Sequence, residues 1–117
     1  MTMIGSGLVA TVLVVDKAGS VLVVARDGLL ELPSGVARLG ETVVEAAARV
    51  VAEQTGVVVG DVGVVGLDGE GEFSVLLRAE PVGGEVTDEG QWVAPAELGG
   101  GVAAPGVRER VQYWVSD

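Results

Sequence analysis

The stretch "LPSGVARLGETVVEAAARVVAEQTGV", residues 32–57, constrains this chain more than any other. From Glu41 to Thr55 the apolar residues Val44, Ala47, Ala48 and Val51 recur with the period of a helix. Glu41, Glu45, Arg49 and Glu53 repeat at i, i+4 on the opposite side, as a charged ladder does on a helix surface. Thr55-Gly56 supplies the glycine stop with which helices commonly end. Before the helix, Pro33 drives Leu32 out of helical geometry, so residues 29–35 are an extended piece and "VARLG" a loop.

The flanking segments read as strands. "GLVATVLVVD" (7–16) and "SVLVVARDG" (20–28) are β-branched runs with almost no polar alternation, which predicts strands buried on both faces. The intervening "DKAGS" suggests that they form a hairpin. Residues 57–82 predict two more strands joined at the Gly/Asp/Glu cluster 67–72, followed by an acidic loop at 83–90 and a strand and turn at 91–100. The cluster, with Asp68, Glu70 and Glu72, lacks the ligand spacing of a calcium loop and reads as a turn. Val107, Val111, Trp114 and Val115, behind Pro105, predict an amphipathic terminal helix over about 105–115. The expected fold class is α/β (α+β): one domain over 1–117, with a mixed sheet between helix 41–55 and the terminal helix.

Composition removes whole classes of chemistry. The 117 residues contain neither His nor Cys, which excludes Ser-His, Cys-His and zinc-type sites. A metal would be a hard cation held by oxygens. A net charge of −10 with only seven Lys and Arg argues against binding a nucleic-acid backbone. No uninterrupted apolar run approaches the roughly 18 residues of a membrane span, and the N-terminus lacks the basic start of a secretory signal. The expected location is the cytoplasm, with a sheet edge or hairpin available for a homodimer.

Gly35, Glu41, Arg49, Val51, Glu53, Gly56 and Val57 fall at the spacing of the Nudix signature, and "ELP", "LGET" and "EGQWVAPAEL" also resemble that superfamily. The resemblance spans essentially the whole chain and implies a MutT-like Nudix fold. It departs from the pattern at Val50 and Gln54, where the family carries Glu. In the family those carboxylates face divalent metals that bridge a diphosphate. Positions 50, 53 and 54 are three and four residues apart, so their side chains converge, with Cβ atoms about 5–6 Å apart. Of the three carboxylates this chain keeps Glu53.

The resemblance therefore implies a Nudix-type hydrolase with a weakened metal site. Its substrate would be a small nucleotide-type molecule, a nucleoside diphosphate linked to another group. Mg²⁺ or Mn²⁺ would be held weakly by Glu53, Glu41, Gln54 and the loop residue Glu89, with help from the backbone carbonyl near Gly35. Arg49 would orient Glu41, Glu45 or Glu53, making Glu53, Glu41 and Arg49 the catalytic candidates. Arg26 and Arg38 would meet phosphates, Gly35 would join them in binding substrate, and Trp92 would stack on a flat ligand. Each has a plainer reading: a solvated charge ladder, surface arginines, a core tryptophan, and a Gln54 bonded to loop backbone. Two other functions stand beside hydrolysis: a catalytically silent ligand- or protein-binding module, and metal-free chemistry with Glu41 or Glu53 carrying protons.

Overall fold

The computed structural model describes residues 5–68, 74–87, 89–98, 102–103, 107 and 111. Among the described residues the elements follow in chain order: β1 (Gly5–Val14), β2 (Val21–Arg26), β3 (Leu29–Glu31), β4 (Ser34–Arg38), α1 (Val43–Thr55), β5 (Val57–Asp68), β6 (Ser74–Gly84), β7 (Gly90–Val93) and the 3-10 turn Pro95–Leu98. The mixed sheet takes the form of two. A four-stranded sheet runs β4-β1-β6-β5, with β1 and β6 parallel and the other pairs antiparallel. A three-stranded antiparallel sheet runs β3-β2-β7.

The expected hairpin of residues 7–28 does not form. The bridge Val15↔Val21 and a hydrogen bond from Asp16 N to Ser20 O at 3.0 Å join the ends of the two runs before they part into different sheets. The reason is that β1 is interior, hydrogen-bonded to β4 on one side and β6 on the other, and has no free edge for β2. The two-faced burial holds. Ala10, Val12 and Val14 face the core beneath α1, whereas Leu13 faces a second core with Val21, Val23, Leu76, Leu98, Val107 and Val111. Val107 and Val111 are helical, buried and one turn apart, opposite α1. Trp114 and Val115 lie outside the described residues, as do Glu70 and Glu72 of the β5–β6 connection. Among the described residues no helix is long and apolar enough to cross a membrane.

Two boundaries move in ways that matter for the site. "VARLG" is not all loop: Val36–Arg38 complete β4, because Ala37 is buried against the core and the strand pairs antiparallel with β1. The helix begins at Val43, not Glu41. Thr42 is its N-cap, with Thr42 Oγ1 accepting from Glu45 N at 3.0 Å and Glu45 Oε1 from Thr42 N at 2.8 Å. This reciprocal pair satisfies two of the amide groups that a helix start leaves open.

The buried face of α1 is also rotated from the expected one. Ala46, Ala47, Val50, Val51 and Thr55 are buried, while Val44 is exposed and Ala48 half-buried. Close approach to β4 accounts for the rotation. A Cβ placed on Gly35 would lie 2.9 Å from Val50 Cγ2, so the missing side chain at 35 admits Val50 against the strand.

Candidate functional site

The corner between β4, the 38–42 loop and α1 is organised by one side chain. Arg49 makes a forked contact to Glu41, with Nε donating to Oε2 at 2.8 Å and Nη2 to Oε1 at 3.0 Å. Its Nη1 donates to Glu53 Oε1 at 3.0 Å and its Nη2 also to the Val36 carbonyl at 3.0 Å. Paired donors on a planar guanidinium match the two oxygens of a carboxylate, which fixes orientation as well as charge. Glu41 is further tied by the Arg38 amide, which donates to its Oε1 at 2.9 Å. Arg38 itself is an outer partner, its Nη2 standing 3.6 Å from Glu53 Oε2.

The charged ladder is therefore real but differently built. Glu41 reaches Arg49 from the loop, and Glu45 leaves the ladder to close the N-cap. The hydrogen bond from Arg49, then that from the Arg38 amide, holds the Glu41 carboxyl down at about 2, and Glu41 in turn raises Arg49. A carboxyl whose pKa is depressed on folding stabilises the fold above its unfolded value and loses that contribution as pH falls. For Glu41 the window runs from the ordinary 4.5 down to about 2. Glu41→Gln is expected to flatten the acid limb of stability in this window, read from urea midpoints at successive pH values. An acid limb as steep as that of the unmodified chain would show that the clasp contributes nothing.

The positions expected to carry metal ligands have other occupations. Val50 is 2% exposed and packed on Gly35. Gln54 Nε2 donates to the Ser34 carbonyl at 2.7 Å. Because only the amide nitrogen can donate there, the bond also assigns which atom is oxygen. Oε1 is buried and has no hydrogen-bond partner among the described residues. The side chain thus has a strand-backbone bond on one side and an unanswered acceptor on the other. Such an acceptor costs roughly 1–3 kcal/mol.

Glu89 is exposed, and its main-chain carbonyl accepts from Ala25 N at 3.2 Å. Its loop is fastened to the helix end, where Thr87 N donates to Thr55 O at 2.8 Å and Gly90 lies flush on Thr55. Among the described residues no three acidic side chains come together as a metal-binding group. What the corner offers a hard cation is two carboxylates, Glu41 and Glu53, both already engaged by guanidiniums, and one neutral amide. This set does not fit a resident divalent cation, which favours several carboxylate and carbonyl oxygens around one point.

Of the residues expected to meet substrate, Arg38 borders a shallow hollow of about 310 Å³ formed with Leu39, Gly40, Glu41 and Glu45. Arg26 is exposed at the end of β2 and takes no part in the Arg49 network. Trp92 lies opposite Leu22 and is half-buried against the core beneath α1. Ser34, Val36 and Thr42 were not anticipated. Thr42 was legible as Thr-x-x-Glu before an apolar run. Ser34 and Val36 act through backbone carbonyls, which no side-chain pattern announces.

Two sheets, a capped helix laid on an edge strand and a loop clasped to that helix by one arginine define an α+β domain organised around a loop–helix corner. The chain belongs to the NUDIX domain family, whose profile matches residues 5–114. Solved structures agree on the fold. The mutator MutT protein of Bacillus halodurans is 22% identical with a TM-score of 0.72, over 94% of this chain and 82% of that one. An ADP-ribose pyrophosphatase of Streptococcus suis is 18% identical with a TM-score of 0.77, over 93% and 89%. A NUDIX-family hydrolase of Clostridium perfringens is 12% identical with a TM-score of 0.74, over 96% and 97%. No curated protein matches the chain in sequence.

Proposed function

We propose that this chain is a Nudix domain that binds a nucleoside diphosphate linked to another group and does not cleave it by metal-assisted attack of water. The observation carrying this reading is the pair Val50 and Gln54: one is buried aliphatic and the other is bonded to the Ser34 carbonyl. Removing two carboxylates from three converging positions removes the charge that would hold magnesium against a diphosphate. The ligand class is supported by the likeness to an ADP-ribose pyrophosphatase and by Arg38. In a chain with only seven Lys and Arg, two stand together at this corner. An exposed guanidinium beside an open hollow suits a phosphate oxygen.

Metal-free proton transfer fits less well. Glu41, with its carboxyl at about 2, has no proton to give near neutral pH and is a weak base. The test is a panel of nucleoside diphosphate derivatives incubated with the full chain in Mn²⁺, in Mg²⁺ and in chelator, alongside calorimetric binding. Binding without metal-dependent release of product is the expected result, weakened about tenfold or more by Arg38→Ala on loss of a charge-assisted contact. Release of product that requires metal and is lost in Glu53→Gln would restore the hydrolase.

A further inference from the structure

Ser34 opens β4, which among the described residues is an edge strand of its sheet, paired with β1. Successive strand carbonyls alternate in direction. The Pro33 carbonyl turns inward and accepts from Val12 N of β1 at 2.9 Å. Those of Ser34 and Val36 turn the other way and are met by side chains of α1: Gln54 at 2.7 Å and Arg49 at 3.0 Å. The outer carbonyls of the edge strand are thus closed by nitrogen donors from the helix. A hard cation recruits backbone carbonyls of just this kind together with a carboxylate, and Glu53 is the adjacent residue.

We propose that the Gln54 amide hydrogen occupies the place of a divalent cation on the Ser34 carbonyl, so that the corner is held together by a donor that makes a cation unnecessary. This rests on the reading that the site has no resident metal, and it adds that one side chain is responsible. An amide at position 54 ends in one donor and one acceptor, and the donor is the atom on Ser34. A carboxylate there ends in two acceptors. In the same rotamer it would set oxygen against oxygen, and near neutral pH only a cation between them would resolve the contact.

The experiment compares thermal unfolding of the full chain, Gln54→Glu and Gln54→Met at pH 7.5, each in chelator and in millimolar Mn²⁺. The unmodified chain should melt at one temperature in both. Gln54→Glu should melt about 5–10 °C lower in chelator, from the lost hydrogen bond and the unpaired acceptor, and recover most of that in Mn²⁺. Gln54→Met, similar in length but without a donor, should fall and stay down. Mn²⁺ stabilisation of the unmodified chain overturns the proposal. So does a Gln54→Glu chain that is unaffected in chelator or unfolded in both solutions, or equal rescue of Gln54→Met. Metal-dependent turnover by the unmodified chain would instead remove the functional reading, whereas a cation-insensitive Gln54→Glu removes this proposal alone.

Discussion

Val50→Glu is expected to destabilise the chain by about 3–5 kcal/mol at pH 7, the range seen when a charge is buried without a partner. Val50 is 2% exposed, and the Gly35 backbone lies directly against it. A carboxylate at this point can neither reach water nor find a donor, since the guanidinium of Arg49 is already engaged by Glu41, Glu53 and the Val36 carbonyl. Burial raises a carboxyl pKa, so the sign of the pH dependence is opposite to that of Glu41. The loss should grow as pH rises above the unfolded value near 4 and largely vanish below it. Urea unfolding at pH 3.5 and pH 7 measures the difference, with Val50→Gln as a neutral control whose deficit stays level. A Val50→Glu deficit equal at both pH values would mean that the side chain reaches solvent, and that the corner could still accept a metal ligand there.

Gly56→Ala is expected to cost about 3–4 kcal/mol, combining a left-handed backbone that disfavours a side chain with steric overlap. Gly56 has φ 79° and ends α1 with its N–H donating to Ala52 O at 3.0 Å. A Cβ there would fall on the Glu85 carbonyl oxygen and 2.7 Å from Thr87 Cγ2. The obstruction is backbone, which cannot swing aside as a flexible side chain can. Residues 85–90 would have to lift off the helix end, breaking the bond from Thr87 N to Thr55 O and carrying Glu89 away. Equilibrium unfolding checks the magnitude, and hydrogen exchange at Thr87 checks the route. A destabilised chain with full protection at Thr87 would place the strain elsewhere.

These two positions divide what could be read from the chain alone. Gly56 was legible as a helix stop because its requirement is local: a positive φ at a C-terminus favours glycine wherever it occurs. The helix, most strands, the absence of His and Cys chemistry and the spacing of Gly35, Glu41, Arg49 and Glu53 are of the same kind. The hairpin failed for a different reason. Whether β1 pairs with β2 depends on which strands claim its two edges, and the claimants β4 and β6 lie about 20 and 60 residues further along, a competition local propensity does not register.

The site shows the same boundary. Residue types and spacing placed Glu53 on an acidic helix face, and the resemblance to the Nudix signature marked Val50 and Gln54 as departures from its carboxylates. Only the folded molecule decided that Arg49 would gather Glu41 from the loop and leave Glu45 to the cap, that Val50 would be sealed against Gly35, and that Gln54 would turn its nitrogen to Ser34. Those outcomes depend on where backbone carbonyls and neighbouring elements stand in space. A sequence specifies side chains one by one, but an edge-strand carbonyl acquires its direction only when the strand pairs.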